Sequence, residues 1–324
     1  MNQRMFGKTG WKVSEVGFGC WGMGGGWGIR RDDDARKAIR AAFDAGYNFF
    51  DTAYVYGQGV SEQILGSVVK EFPRESCFIA TKIPSQTMEW PVRPNSLLDA
   101  CFPDKWITHC TETSLKRLGM ERVDLQQFHV WTDAWVNRDE WKQSVEKLKK
   151  QGKIRAFGVS VNDHQPESVI KLVQTGLIDS IQVIYNIFDQ VPADELLRLC
   201  QKHGVAVIVR VPFDEGSLTG MLTPQTIFEP DDWRSGYFKG NRLTETCVRV
   251  EKLKGFLSLE TPTLAKLALK FCLSHPAVST VIVGMRSEKH VRENALSGGV
   301  LPASVLGPLK THAWNRNFYQ GAWD

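Results

Sequence analysis

The sequence lacks any apolar run approaching the roughly 20 residues that a membrane-spanning helix needs. Its first seven residues, from Met1 to Gly7, also lack the apolar stretch of a signal peptide. Charge of one sign is not concentrated, because a formal net charge of +4 is spread along 324 residues without a basic stripe. We therefore expect neither a membrane nor a nucleic acid as a partner.

Cysteines are few and show no pairing pattern. The seven have no Cys-x-x-Cys spacing and are Cys20, Cys77, Cys101, Cys110, Cys200, Cys247 and Cys272. An odd, dispersed set in a chain this long is typical of free thiols in a reducing compartment. We therefore expect a cytoplasmic protein. No His and Cys residues have the spacing of a zinc site, and we expect no metal.

What the sequence does contain is a regular alternation of strand-like and helix-like segments. Strands are predicted at 16–19, 48–51, 78–82, 124–129, 156–160, 180–185, 206–211 and 279–283. Helices are predicted at 33–45, 61–70, 104–118, 138–151, 166–175, 194–203, 243–257, 263–274 and 288–295. Eight such units without a linker favour one α/β domain over residues 1–324, a closed (β/α)8 TIM barrel.

Two further features belong to this predicted barrel. Residues 1–14 hold a turn between two short apolar pieces and predict a β-hairpin that plugs the bottom of the barrel. Long irregular inserts at 83–102 and 212–241, together with the C-terminal residues, follow strands or the last helix. We expect all three to lie at the C-terminal mouth, where loops shape a substrate pocket.

Three consecutive predicted strands end in chemically active side chains. They end in Asp51, Lys82 and His129, and Tyr56 follows the first of them closely. The carboxyl ends of parallel strands open onto one mouth of a barrel, where catalytic residues collect. Asp, Tyr, Lys and His together form the parts of a proton-transfer site.

A glycine motif near the N-terminus suggests a different site. Residues 17–22 match the G-x-G-x-x-G fingerprint of a Rossmann dinucleotide fold and follow a predicted strand. That fingerprint requires a helix to begin at the motif, whereas here the helix begins only near Asp33. We therefore interpret the segment as a flexible Gly- and Trp-rich loop at the mouth.

These residues resemble the aldo-keto reductase family. The segment from Asp51 to Gly57 is similar to the family's signature around its catalytic Asp and Tyr, and Lys82 and His129 match the other two catalytic positions. The resemblance continues through 158–160, 182–186, 284–286 and 293–294. It implies that Tyr56 is the general acid, that Lys82 lowers its pKa, that Asp51 holds Lys82, and that His129 orients the carbonyl.

The resemblance also implies a nicotinamide cofactor and the residues that bind it. Ser160 and Gln182 match the contacts to the carboxamide, and Arg286 matches the contact to the adenosine 2′-phosphate, so NADP(H) is favoured over NAD(H). The remaining predicted cofactor residues lie in the 212–218 loop and near the last helix: Pro212, Phe213, Gly216, Leu218, His290, Glu293 and Asn294.

Two positions depart from the family pattern on the nicotinamide side. Val161 stands where an Asn is usual, and Asn162 is a candidate to replace it. Arg210 stands where an aromatic ring usually stacks on the nicotinamide. A guanidinium can also stack on a ring, but its charge would repel an oxidised, cationic nicotinamide. The hypothesis is that Arg210 biases binding toward the reduced cofactor.

Tryptophans are candidates for the walls of the substrate pocket. They are Trp21, Trp27, Trp90 and Trp131. Aromatic walls suit a medium-sized apolar or ring-bearing carbonyl compound.

The sequence leaves three functions open. The first is an NADP(H)-dependent oxidoreductase acting on aldehydes, ketones or the corresponding alcohols. The second is a cofactor-binding regulatory or channel-associated protein on the same scaffold, and the third is a barrel enzyme that uses Lys82 as a Schiff base. The physiological substrate, the direction of the reaction and the oligomeric state are not predicted.

Overall fold

A computed structural model of the protein describes residues 1–28, 31–295 and 300–320. Strands β1 (Gln3–Met5) and β2 (Lys12–Ser14) form an antiparallel hairpin. The other strands are β3 (Val16–Gly19), β4 (Phe49–Asp51), β5 (Phe78–Ile83), β6 (Val123–Phe128), β7 (Ile154–Ser160), β8 (Ser180–Ile184), β9 (Ala206–Arg210) and β10 (Val278–Gly284). They close into a parallel barrel in the order β10-β3-β4-β5-β6-β7-β8-β9, which confirms the predicted fold.

Helices alternate with these strands. Their bounds are α1 (Asp32–Asp44), α2 (Val60–Val69), α3 (Leu98–Cys101), α4 (Asp104–Leu118), α5 (Asp139–Lys150), α6 (Ile170–Thr175), α7 (Leu196–His203), α8 (Arg234–Tyr237), α9 (Arg242–Leu253), α10 (Leu264–Leu273), α11 (Glu288–Asn294) and α12 (Ala303–Leu309). In the described part of the chain, no helix combines the length and apolarity required to cross a membrane.

The helices follow from apolar spacing and from their end residues. In α1 the buried residues Ala35, Ala38, Ile39 and Ala42 recur every three or four positions, so one face of the helix packs on the barrel. Helix α4 ends at Leu118 and is capped by Gly119, which adopts the left-handed conformation with φ of 66°. A proline at the start of the 166–175 segment gives a 3-10 turn, and α6 begins only at Ile170. This helix is therefore shorter than predicted.

The barrel strands are covered on both faces. All six residues of β6 are buried, including Gln126 and Gln127, which the apolar pattern alone does not explain. Strands of a parallel sheet have helices on one side and, in a barrel, packed side chains on the other. Polar residues inside such strands must therefore find partners within the protein.

The hairpin closes the bottom of the barrel, as predicted. Phe6, Trp11 and Val13 are buried in one cluster with residues of the barrel interior, among them Phe49 and Ala206 at the first positions of β4 and β9. Gly7 has φ of 52°, and a Cβ there would lie 2.6 Å from the backbone nitrogen of Ala206. A side chain at Gly7 would therefore separate the hairpin from the barrel.

Candidate active site

The structure brings the four predicted catalytic side chains together at the mouth. Asp51 is the last residue of β4, Lys82 lies near the end of β5, and His129 directly follows β6. These three strands are neighbours in the barrel, so their carboxyl ends are adjacent. Tyr56 lies in the 3-10 turn Tyr56–Gly59 that follows β4.

Lys82 is fully buried and its ammonium is enclosed by acceptors. Its Nζ donates to a carboxylate oxygen of Asp51, to the carbonyl oxygen of Thr52 at 2.8 Å and to the hydroxyl of Tyr56 at 3.3 Å. Burial lowers the pKa of Lys82, but the charge of Asp51 and the interactions with Tyr56 outweigh that effect and raise it. The lysine is therefore a cation at neutral pH.

Asp51 is held from its other side by two amides. Its Oδ2 accepts hydrogen bonds from Gln182 Nε2 at 2.8 Å and from Gln127 Nε2 at 3.3 Å. Gln182 was expected at the nicotinamide carboxamide, and in this structure its amide nitrogen is engaged with Asp51. Sequence reasoning missed Gln127. The signal for it was a glutamine within an otherwise buried strand, one residue short of the strand end.

The pKa of Tyr56 reflects two opposing effects. Burial raises the pKa of the phenol, whereas the charge of Lys82 and the hydrogen bond from it lower the pKa. The net direction is upward, against the expectation that Lys82 lowers it below the ordinary value. The cost of removing the phenolate from water, to which the negative charge of Asp51 adds, exceeds the stabilisation that the charge of Lys82 and its 3.3 Å hydrogen bond provide.

The glycine-rich loop after β3 contacts the turn that carries Tyr56. A Cβ on Gly24 would lie 2.5 Å from the backbone nitrogen of Gly57 and 2.7 Å from the carbonyl carbon of Tyr56. Only a glycine permits this approach. The segment therefore supports the Tyr56 turn, in agreement with its interpretation as a mouth loop rather than a Rossmann motif.

His129 is buried between aromatic rings. Its ring meets the Tyr56 ring edge-on at 5.7 Å between centroids and the Trp90 ring at 4.9 Å. Burial, with smaller contributions from the positive charges of Lys82 and Arg210, holds the pKa of His129 well below 6.5. The imidazole is therefore neutral at pH 7 and offers one N–H donor.

Three of the four predicted pocket tryptophans lie near the catalytic residues. Trp21 contacts Trp27 at 5.5 Å and Tyr56 at 6.4 Å, and Trp90 lies against His129. Trp131 is instead fully buried in the hydrophobic core, where it packs against other rings at Phe128, Trp135 and Trp141. Sequence reasoning missed Trp233, which packs on Trp21 at 5.3 Å.

Two of the predicted nicotinamide contacts have unused polar atoms. Ser160 Oγ at the end of β7 and Arg210 Nε at the end of β9 are buried, and neither has a hydrogen-bond partner within the described ranges. Such atoms fit the amide of a nicotinamide, which both donates and accepts hydrogen bonds. Asn162 differs, because its amide nitrogen donates to Val92 O at 3.1 Å and to Gln165 Oε1 at 3.0 Å. Only its carbonyl oxygen is left without a partner in the described part.

The 212–218 loop follows β9 and is fastened by the C-terminal residues. Pro212 and Leu218 are buried, Phe213 is partly buried, and Gly216 has φ of 96°. Within this loop, Asp214 forms an ion pair with Arg316, and Glu215 accepts a hydrogen bond from the Tyr319 hydroxyl. Burial raises the pKa of Glu215 to about 8.

The predicted adenosine contacts lie after β10 and along α11. Arg286 is partly buried, and its Nη1 donates to the carbonyl oxygen of Trp27. Burial and the nearby charge of Arg234 lower the pKa of Arg286. The charge of Arg286 also lowers the pKa of His290, after the larger effect of burial. Asn294 is buried, whereas Glu293 faces Lys289 at 3.7 Å on the surface of the helix.

Arg234 forms an ion pair with Asp232, so its charge is largely balanced. Arg286 has no carboxylate partner among the described residues and remains the predicted contact for a phosphate. No group of three or more His, Cys, Asp or Glu that could hold a metal ion occurs within residues 1–28, 31–295 and 300–320.

Comparison with known proteins agrees with the barrel fold. The family model described as "Aldo/keto reductase family" matches residues 15–308. The chain belongs to this family. Its members are oxidoreductases that act on carbonyl compounds and alcohols and use nicotinamide cofactors, and the chain is accordingly an enzyme of this type.

Curated relatives cover most of the chain. The aldo-keto reductase YhdN of Bacillus subtilis is 31% identical over 86% of the chain and 83% of its own length. The NADH-specific methylglyoxal reductase of Escherichia coli is 29% identical over 91% and 92%. A probable voltage-gated potassium channel subunit beta of Arabidopsis thaliana is 31% identical over 95% and 94%.

Solved structures share the fold over nearly the whole length. The glycerol dehydrogenase AKR11B4 from Gluconobacter oxydans superposes with a TM-score of 0.78 at 28% identity, covering 96% of this chain and 94% of its own. The holo form of the aldo-keto reductase AKR11C1 from Bacillus halodurans gives 0.75 at 28% identity, covering 97% and 96%.

The low pKa of His129 predicts how stability depends on pH. Below pH 6.5 the unfolded chain binds a proton at this histidine that the folded protein does not bind, so folding stability falls as pH falls. Between pH 7.5 and 5.0 we expect the wild type to lose about 2 kcal/mol more stability than His129→Gln. Urea unfolding of both proteins at the two pH values measures the difference. Equal losses would contradict a neutral, buried His129.

Proposed function

We propose that the protein is an NADP(H)-dependent oxidoreductase that interconverts aldehydes or ketones and the corresponding alcohols, with Tyr56 as its general acid and base. The observation that carries the proposal is the Tyr56 hydroxyl, 3.3 Å from the buried ammonium of Lys82 and beside the His129 ring at the barrel mouth. A phenol with a cation behind it can both give and take a proton.

The roles of the side chains follow from their contacts. A bound nicotinamide supplies or accepts the hydride at the carbonyl carbon. Tyr56 donates a proton to the carbonyl oxygen during reduction and removes it during oxidation. Lys82 stabilises the phenolate that forms, and Asp51 keeps Lys82 charged and in place. The neutral imidazole of His129 donates its N–H toward the oxygen on which charge develops.

The preference for NADP(H) rests on Arg286. Burial, with a smaller contribution from the charge of Arg234, lowers the pKa of this half-buried guanidinium, and a 2′-phosphate dianion would provide it with a counter-ion. Ser160, Gln182 and the 212–218 loop would hold the rest of the cofactor. NAD(H) is the less favoured choice, although one relative is named as NADH-specific.

Two other functions are weaker candidates. A relative named as a potassium channel subunit keeps a cofactor-binding regulatory role as the second candidate. A Schiff base on Lys82 requires a neutral amine, whereas the Asp51 ion pair raises the pKa of Lys82.

Cytoplasmic location is supported by the seven cysteines, all of which are free thiols.

Tyr56→Phe tests the proposed general acid. We expect it to lower kcat for NADPH oxidation with aldehydes and ketones by about 10²- to 10⁴-fold, because phenylalanine has no hydroxyl to donate the proton. NADPH binding, followed by fluorescence, should stay within about threefold of wild type because the ring is retained. Tyr54→Phe is the matched control, since Tyr54 packs on Arg117 and Trp106 and should keep full activity.

The same experiment separates the candidates. Full activity of Tyr56→Phe would refute its role as the acid. Wild type that binds NADPH but reduces none of a broad panel of carbonyl compounds favours the regulatory role. Borohydride trapping of a substrate on Lys82 would support the Schiff base instead.

Arg286→Gln tests the choice of cofactor. We expect NADPH affinity to fall about tenfold to a hundredfold, because a charged hydrogen bond to the 2′-phosphate is lost. NADH affinity should hardly change. The control is Arg292→Gln on the neighbouring helix α11, where Arg292 pairs with Glu288 on the surface. Titration calorimetry of the wild type and both variants with both dinucleotides measures the affinities, and an equal loss for NADPH and NADH in Arg286→Gln would contradict the assignment.

A further inference from the structure

One buried carboxylate at the mouth, that of Asp163, connects two side chains that lie near Tyr56 and His129. Asp163 lies just beyond β7 and is 6% exposed. Its Oδ1 accepts from Arg210 Nη2 at 2.5 Å, and its Oδ2 accepts from Trp90 Nε1 at 2.8 Å. Both oxygens are thereby used, each by a side chain from a different loop or strand.

The two partners of Asp163 both act on the catalytic residues. Trp90 presents its ring to His129 at 4.9 Å. Arg210 affects the pKa values of Tyr56 and His129 through its charge, lowering both. Asp163 therefore determines where a ring and a cation stand beside the proton-transfer group.

Arg210 also crosses the mouth. It is the last residue of β9, and its Nη2 reaches over the end of β8 to the carbonyl oxygen of Val161 at 3.1 Å, beyond β7. Its Nη2 is thus fixed by Asp163 and Val161, while its buried Nε has no partner in the described part of the chain. The guanidinium is held at one end and keeps a free donor at the other.

We propose that Asp163 is a positioning residue that fixes Arg210 at the nicotinamide site and acts as its counter-ion. This inference rests on the proposed function, and it concerns the charge that the protein presents to the nicotinamide ring. Arg210 alone would oppose binding of the oxidised, cationic ring. Asp163 cancels most of that charge and allows both redox forms of the cofactor to bind at one site.

The test is the ratio of NADP⁺ to NADPH affinity. Asp163→Asn keeps the size of the side chain but removes its charge, so we expect the NADP⁺ Kd to rise about threefold to tenfold and the NADPH Kd to change less than about twofold. Asp189→Asn is the matched control. Asp189 is also a buried carboxylate at the mouth, but it pairs with His164, and its loss should leave the ratio unchanged.

A double-mutant cycle shows whether Asp163 acts through Arg210. In an Arg210→Gln background, Asp163→Asn should alter the ratio less than it does in the wild type, because Asp163 no longer acts through the position of Arg210. An equal loss of affinity for both redox forms, or a full effect that persists without Arg210, would overturn the inference. Trp90→Phe removes the other hydrogen bond to Asp163 and should leave the ratio of NADP⁺ to NADPH affinity within twofold of the wild type. A shift as large as that of Asp163→Asn would show that Asp163 acts through Trp90 and not through Arg210.

The outcome does not depend on turnover. If NADP(H) proves to be the wrong pair, NAD⁺ and NADH carry the same charge difference on the ring and give the same ratio. Inactivity of the wild type would overturn the proposed reaction and leave the ratio measurable. Failure of both dinucleotide pairs to bind would overturn the cofactor site and this inference together.

Discussion

The buried ion pair between Lys82 and Asp51 is the interaction on which the mouth of this barrel depends. An unpaired ammonium enclosed by protein would cost several kcal/mol, so Lys82 requires Asp51 next to it. Asp51 in turn requires the amides of Gln127 and Gln182 on its other oxygen. Four strands, β4, β5, β6 and β8, therefore have their ends fixed relative to one another by one polar network. Tyr56 stands at the edge of this network, with Lys82 behind its hydroxyl.

Much of this arrangement could be predicted from the sequence, because parallel strands in a barrel bring their carboxyl ends to one mouth. That rule was enough to place Asp51, Lys82 and His129 together. The rule did not reveal Gln127, since a polar residue inside a buried strand says that a partner exists but not which one. It also did not exclude Trp131 from the mouth, because the direction of a side chain just beyond a strand depends on the packing of its loop. The net pKa shift of Tyr56 is a balance of burial against charge, and burial is known only from the fold.

The proposed cofactor side of the mouth is where we expect this chain to differ from the pattern of its family. The side chain of Val161 has no polar atom, and its backbone carbonyl oxygen accepts a hydrogen bond from Arg210. The same guanidinium nitrogen of Arg210 also donates to Asp163. The 212–218 loop carries two buried carboxylates, Asp214 and Glu215, each held by a residue of the C-terminal segment. Asp214 has its charge balanced by Arg316, and the raised pKa of Glu215 favours its neutral form near pH 7. Both effects reduce the negative charge that the 212–218 loop would present to a bound dinucleotide.

The most direct test of this account is a double-mutant cycle on the ion pair, measured as the free energy of unfolding in urea at pH 7. Asp51→Asn and Lys82→Met should each destabilise the protein by about 3–5 kcal/mol, because each leaves one charge buried without its partner. The double variant removes both charges, so its loss should fall short of the sum of the single losses by a few kcal/mol. Losses that add to within about 0.5 kcal/mol would contradict the account, because two residues that stabilise the mouth as a pair cannot act independently.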